Sequence, residues 1–187
     1  MKRLILLRHA KSSRDQRELS DADRPLSKRG EQSAPLMGRL IAQEGYIPDR
    51  ILCSTAKRAV QTGDLILDEL SPKPDYRKLD ELYMATPRDI LVTIGEQADD
   101  VQSILVIGHN PGLGDLAAWL VNDGRSKDIS RLNDKFPTAG LAVIDLPIDS
   151  WNDLSDSTTV NWHGQLVRFA TPRDATGEPA ATEQDSR

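Results

Sequence analysis

Two of the three histidines in this chain directly follow the ends of short apolar runs. His9 comes after residues 4–7 and Arg8, and His109 comes after residues 103–107 and a glycine. Such runs are typical of buried strands in a parallel sheet, whose carboxyl ends meet at one edge. We therefore expect both imidazoles at one crevice, where they could act as nucleophile, base or ligand. The alternative is two polar strand ends on the surface.

The residues beside these histidines favour an anion over a metal ion. Zinc would require a third histidine, cysteine or carboxylate close by. The neighbours are instead the cations Arg8 and Lys11. Because cations repel a metal ion and attract an anion, we expect no metal or other cofactor.

A further arginine fits an anion site. Arg58 lies four residues after Ser54, about one turn into a predicted helix that begins at a strand end. Its guanidinium presents a planar set of donors that suits phosphate oxygens. Asn110 begins the segment that opens the helix after His109, where free amides would add further donors.

The elements that must position these residues alternate between strand and helix. This alternation predicts an α/β fold, a three-layer α/β/α sandwich with a mainly parallel central sheet and one antiparallel edge strand. Residues 12–26 and 122–137 are expected to be mostly loop. We predict one catalytic domain over residues 1–170, followed by a disordered tail over residues 171–187, which has almost no apolar side chains.

Composition narrows the class of protein. The 187 residues are 38% hydrophobic and 28% charged, which is typical of a soluble globular domain. A net charge of −5 argues against generic nucleic-acid or anionic-membrane partners, which require a basic surface. The single cysteine, Cys53, and the absence of a long apolar segment predict a cytoplasmic protein.

Three sequence motifs carry a family resemblance. They are L-I-L-L-R-H-A, S-T-A-K-R-A-V-Q-T and V-I-G-H-N-P, in that order. The chain resembles the histidine phosphatase superfamily, also called phosphoglycerate mutase-like, over about Lys2 to Ala170. The segments D-R-P-L-S-K-R-G and E-L-Y-M-A are most similar to its SixA branch of protein phosphohistidine phosphatases. One departure is Ala10, where the wider superfamily has glycine.

The resemblance implies catalytic roles. His9 would be the nucleophile, and Arg8, Arg58 and His109 would hold the phosphoryl oxygens. Glu81 would be the proton donor, in preference to Asp80. The alternative for Glu81 is an ordinary surface carboxylate.

Other polar residues are predicted around the same site. Lys11, Asn110 and Thr138 are candidates for contact with substrate. Arg24 is expected to form a salt bridge within its loop, and Ser54 is expected to cap a helix.

The leading functional hypothesis is a metal-independent phosphatase that acts on phosphohistidine in a protein, through a phosphohistidine intermediate on His9. Its partner would be a histidine-phosphorylated signalling or phosphotransfer protein. Small phosphate esters are the substrates in the alternative hypothesis, a phosphomonoesterase or phosphoglycerate mutase-like enzyme. A non-enzyme alternative is a phosphate-binding module that has lost catalysis.

Overall fold

The computed structural model describes residues 1–13, 15, 18–154 and 163–176. A seven-stranded sheet runs through its centre. Along the chain its strands are β1 Lys2–Arg8, β2 Arg50–Ser54, β3 Asp75–Leu79, β4 Ser103–Gly108, β5 Val121–Gly124, β6 Leu141–Leu146 and β7 Gly164–Ala170.

Helices cover both faces of this sheet. They are α1 Lys28–Gln43, α2 Lys57–Asp68, α3 Pro87–Gly95, α4 Gly112–Leu120, α5 Ser126–Asp134 and α6 Pro172–Thr176. The first two pack with one hydrophobic cluster, and α3, α4 and α5 pack with the other. The predicted three-layer sandwich is confirmed.

The strand order is β3-β2-β4-β1-β6-β7-β5. Strand β6 is antiparallel to both of its neighbours, and all other pairs are parallel. The sheet is thus mainly parallel with one antiparallel strand, as predicted, but that strand lies inside the sheet rather than at its edge. The edge beyond β7 is taken by β5, which is short and polar and lies in a stretch predicted as loop, as does α5.

Strand β1 shows why the sheet is so well defined. Leu4 and Leu6 point into one hydrophobic cluster, whereas Ile5 and Leu7 point into the other, and all four are fully buried. Burial of each such side chain contributes about 1.5–3 kcal/mol. A register slip by one residue would exchange the two sets, so the position of Arg8 at the strand end is fixed by packing on both faces.

The long loop after β1 is closed at both ends. Ser12 forms an isolated bridge with Leu26, and the Ser27 amide donates to the Lys11 carbonyl oxygen at 2.8 Å. Ser27 also caps α1, since its hydroxyl accepts from the Gly30 amide at 3.2 Å. A Cβ at Gly30 would lie 2.2 Å from the Lys11 carbonyl oxygen, so only glycine allows α1 to begin there.

Described structure continues past residue 170, the predicted end of the domain. Helix α6 lies in this part of the chain. Its Asp174 carboxylate accepts from the Thr171 amide at 2.7 Å and forms an ion pair of 2.6 Å with Arg131 of α5. Residues 177–187 of the predicted tail lie outside the described residues. In the described part of the chain, no helix has the length and apolarity needed to cross a membrane.

Candidate active site

A cavity of about 250 Å³ opens at the carboxyl ends of β1 and β4. We call it the strand-end cavity. The amino end of β6 lies at the same edge, because this strand runs antiparallel to β1. The cavity is lined by Arg8, His9, Lys11, Ser12, Asp21, Arg24, Arg58, Met84, His109, Asn110 and Thr138. All of the predicted site residues except Glu81 are therefore brought together.

Backbone hydrogen bonds from both neighbouring strands hold His9. Its amide donates to the Gly108 carbonyl oxygen at 3.0 Å, at the end of β4. The Ala139 amide, just before β6, donates to the carbonyl oxygens of Arg8 and His9 at 3.0 and 3.2 Å. Ala139 has a φ of 56°, a left-handed conformation that costs energy for a residue with a Cβ. The turn that carries His9 is thus clamped on both sides.

The contacts of the His9 ring define its protonation. Nδ1 lies 2.7 Å from the Ala10 carbonyl oxygen, which can only accept, so Nδ1 carries the proton. Nε2 is then unprotonated, and its lone pair accepts from the Arg58 Nε–H group at 3.3 Å. Burial, together with the charges of Arg58 and Arg8, lowers the His9 pKa to about 4 even though the Ala10 hydrogen bond opposes this. The ring is therefore neutral at pH 7, as a nitrogen nucleophile must be.

His109 lies beside His9, with 5.1 Å between the ring centroids. Its Nδ1 accepts from Arg58 Nη2 at 3.3 Å, and its Nε2 therefore donates to the Ser54 hydroxyl at 2.7 Å. Burial and the neighbouring His9 and Arg58 lower its pKa to about 3. Ser54 is thus a partner of His109 and not the predicted N-cap of α2, a position that Ala56 occupies without a side-chain hydrogen bond.

The motif residues after Arg58 fix the helix against the cavity. Thr62 accepts from the Ala10 amide at 3.0 Å and donates to the Arg58 carbonyl oxygen at 2.6 Å. Gln61 accepts from the Leu26 amide at 2.8 Å. One turn of α2 therefore holds the turn after β1 and the far end of the long loop.

Arg8 carries a positive charge without an ion-pair partner among the described residues. Its Nη1 donates to the Phe136 carbonyl oxygen at 3.0 Å. Its Nε is buried and has no hydrogen-bond partner among the described residues. Burial and the charge of Arg58 lower its pKa. A half-buried cation that lacks a counterion is costly, and a bound anion would offset the cost.

The remaining lining residues differ in their contacts. Asn110 donates to the same Phe136 carbonyl oxygen at 3.0 Å, and Lys11 and Thr138 line the wall. Arg24 forms an ion pair of 3.0 Å with Asp21, which confirms the predicted salt bridge within the loop. It also lines the cavity, and so it contributes to its positive potential.

The identity of the carboxylate at the cavity is where the structure differs most from the sequence prediction. Glu81 lies exposed on a short 3₁₀ turn, Asp80–Leu82, and does not line the strand-end cavity. Asp21 is instead the carboxylate on the wall, among the residues that the structure describes, and it pairs with Arg58 at 2.9 Å. The sequence contained a signal for Asp21, an acid three residues before Arg24 in a long loop, that the prediction did not use. Throughout the described ranges, no group of three or more His, Cys, Asp or Glu side chains could hold a metal ion.

Comparison with known proteins decides the family. The sequence model of the histidine phosphatase superfamily, branch 1, matches residues 4–86. An uncharacterized protein of Mycobacterium tuberculosis is 34% identical over 169 residues, which is 89% of this chain and all of the relative. The chain belongs to the histidine phosphatase superfamily.

Solved structures place it near one branch of that superfamily. The crystal structure of a protein assigned as phosphohistidine phosphatase SixA, from Agrobacterium tumefaciens, is similar with a TM-score of 0.73 and 32% identity, over 91% of this chain and 98% of that one. A protein assigned likewise from Nakamurella multipartita is similar with a TM-score of 0.75 and 26% identity, over 91% and 96%. The fold of this chain, and its similarity to SixA structures, are thus those that the motifs predicted.

Proposed function

We propose that this protein is a phosphatase that removes the phosphoryl group from phosphohistidine in a partner protein, through a covalent intermediate on His9. One observation carries the proposal. A neutral His9, whose unprotonated Nε2 atom accepts from Arg58, lines a cavity whose wall also includes Arg8, Arg58 and His109. A nucleophile surrounded by cations suits attack on a phosphoryl group.

In the first step the His9 Nε2 atom attacks phosphorus, and the bond from phosphorus to the leaving group breaks. The guanidinium groups of Arg8 and Arg58 neutralise charge on the phosphoryl oxygens. The His9 ring becomes more positive as its bond to phosphorus forms, and the Ala10 carbonyl oxygen accepts from its Nδ1–H group. Water then attacks phosphorus, the nitrogen–phosphorus bond breaks, and inorganic phosphate leaves with His9 again neutral.

The carboxylate on the cavity wall favours a nitrogen leaving group. Hydrogen bonds from Tyr83 and Arg58 lower the Asp21 pKa although burial opposes them. An ionised Asp21 cannot protonate an alkoxide. A phosphohistidine that is already protonated on its other ring nitrogen departs as neutral imidazole and needs no proton from the enzyme. This supports phosphohistidine over an oxygen ester as the substrate.

The surroundings of the cavity also fit a large substrate. A second depression of about 460 Å³ adjoins the strand-end cavity and shares Arg8 and Asn110 with it. It lies between α4 and residues 132–136. Together the two depressions leave room for a leaving group that is part of a protein.

The experiment compares three substrates in the presence of a chelator: a histidine-phosphorylated protein, a phosphoserine peptide and para-nitrophenyl phosphate. We expect the first to be hydrolysed fastest, and radioactive phosphate from it to be trapped on His9. His9→Ala should abolish turnover and labelling, whereas His163→Ala, at an exposed histidine outside the cavity, should change neither. Full activity of His9→Ala would refute the mechanism, and preference for the phosphoserine peptide would refute the substrate class.

The role of Glu81 as proton donor remains a prediction. Glu81→Gln should slow hydrolysis of para-nitrophenyl phosphate and leave phosphohistidine turnover intact if Glu81 protonates oxygen leaving groups. An unchanged rate with both substrates would remove Glu81 from the site.

A further inference from the structure

Asp21 has an unusual set of partners for an exposed loop carboxylate. Its Oδ2 atom accepts from Arg58 Nη2 at 2.9 Å and from the Tyr83 hydroxyl at 2.9 Å. Its Oδ1 atom accepts from Arg24 Nη1 at 3.0 Å. These three donors come from α2, the long loop and the segment after the 3₁₀ turn. Asp21 is thus bound as an oxyanion would be, by converging donors at the wall of the strand-end cavity.

Every nitrogen of the Arg58 guanidinium has a hydrogen-bond partner in this arrangement. Its Nε donates to His9, its Nη1 donates to the Asp21 carbonyl oxygen at 2.5 Å, and its Nη2 donates to the Asp21 carboxylate. The Arg58 side chain is 4% exposed, whereas that of Asp21 is 47% exposed. The buried partner is therefore held by a carboxylate that can move away into solvent.

The negative charge of Asp21, in contact with Arg58, affects the binding of an anion in the cavity. In the described part of the chain Asp21 is the negative group on a cavity wall that also carries Lys11, Arg8, Arg24 and Arg58. A phosphoryl dianion in the cavity is repelled by Asp21 and needs the same guanidinium. Occupation by the carboxylate and occupation by phosphate oxygens therefore oppose each other.

We propose that Asp21 is a positioning residue that doubles as an internal competitor for phosphate: it holds Arg58 oriented towards His9 and yields Arg58 Nη2 when a phosphoryl group enters. This inference rests on the proposed phosphatase function. Its effect is to weaken the binding of inorganic phosphate, so that the product leaves the cavity. The same competition also weakens binding of the phosphoryl group of the substrate.

The alternative is that Asp21 only anchors its loop. The loop has other anchors, because the Lys57 amide donates to the Ala22 carbonyl oxygen at 2.9 Å and Arg58 also binds the backbone of Asp21. Asp21→Asn keeps an acceptor oxygen and removes the charge. The two explanations predict different results for this variant: a competitor predicts tighter phosphate binding, and an anchor predicts unchanged or weaker binding.

The test measures binding of inorganic phosphate and of vanadate by titration calorimetry, and inhibition of para-nitrophenyl phosphate hydrolysis by phosphate. With Asp21→Asn we expect the Kd for phosphate to fall roughly three- to tenfold. The inhibition constant of phosphate and the KM should fall with it. The matched control is Asp23→Asn, which removes the same charge from an exposed residue of the same loop outside the cavity and should leave all three constants unchanged.

Unchanged or weaker phosphate binding by Asp21→Asn would overturn the inference and leave the phosphatase proposal intact. An equal gain in Asp23→Asn would also overturn it, since net charge alone would then explain the change. If the unaltered protein bound neither anion and hydrolysed no substrate, the proposed function would fail, and this inference would fail with it.

Discussion

The strand-end cavity has two unlike halves. One half is built from strand ends and the first turn of α2, and its side chains His9, His109 and Arg58 are 7%, 3% and 4% exposed. The other half is built from loops, and there Asp21 is 47% exposed and Met84 is 52% exposed. We call them the strand half and the loop half.

The two halves also differ in how they are held. Backbone groups of β4 and of Ala139 fix the turn with His9, and the Thr62 hydroxyl in α2 accepts from the Ala10 amide of the same turn. In the loop half, backbone hydrogen bonds anchor the loop itself, but the Asp21 carboxylate on the cavity wall is held by side chains, through its contacts with Arg24 and Tyr83. Rigid placement suits the group that forms a bond to phosphorus, and side-chain contacts suit groups that give way to substrate.

Arg58→Lys should have the largest effect, because it tests the strand half. A lysine cannot bind Asp21, His9 and His109 with one planar group, so we expect kcat/KM to fall roughly 10²–10³-fold. The same exchange in the loop half, Arg24→Lys, should cost less than about fivefold. Steady-state kinetics with para-nitrophenyl phosphate measures both. Equal losses would remove the distinction between the halves.

Thr62→Val should weaken both stability and activity. The substitution leaves the buried Ala10 amide without its acceptor, which costs about 1–3 kcal/mol in the free energy of unfolding. It also loosens the turn with His9, so kcat should fall while KM changes little. Urea unfolding and kinetics provide the measurements, and Thr93→Val in α3 is the control, since that hydroxyl only donates within its own helix. A stable variant with unchanged kcat would contradict the role given to Thr62.

Acid should destabilise the strand half. His9 and His109 have pKa values of about 4 and about 3 in the folded protein, against about 6.5 when unfolded. Below pH 6.5 the unfolded chain takes up protons that the folded chain does not, so stability is fully present above pH 6.5 and decreases as the pH falls. From His9 alone the loss reaches about 3 kcal/mol at pH 4. The measurement is urea unfolding from pH 7 to pH 4 for the wild type and His9→Asn; equal slopes for the two proteins would contradict it.

Tyr83→Phe should have the smallest effect. The ring stays edge-on to His109, with 5.7 Å between centroids, and only the donor to Asp21 is lost. Because Tyr83 is exposed, we expect a change in unfolding free energy within about 0.5 kcal/mol and in kcat of less than threefold. A tenfold loss of kcat would contradict this expectation and show that the Tyr83 hydroxyl is as important for turnover as the side chains of the strand half.

The strand half could be predicted from the sequence and the loop half could not. Arg8 and His9 follow an apolar run that only a doubly buried strand explains, and His109 follows another, so the parallel sheet brings them together. Arg58 follows from the first turn of the next helix. Each of these positions depends on a periodic pattern that packing enforces.

The structure departs from the sequence-based expectations where no periodic pattern exists. Asp21 lies in a long polar loop, and its place on the cavity wall depends on side-chain contacts with Arg58 and Tyr83, which are distant in sequence. The sequence signal for Glu81 is the family resemblance alone; the 3₁₀ turn places it outside the cavity, and its role as proton donor stays a prediction. Helix α5 shows a weaker failure, since Ile129 and Leu132 have helical spacing but its other residues are polar.

The central position of β1 has a consequence for the timing of synthesis. Strand β1 is synthesised before both of its sheet neighbours, β4 and β6, whose residues Ile104 and Ile144 lie opposite Leu4. At about 5–20 residues per second, β1 waits on the order of 5–20 s for its first neighbour. During that interval the backbone groups of β1 lack their strand partners, so the segment that later carries the nucleophile has to stay out of other strand pairings while the chain grows.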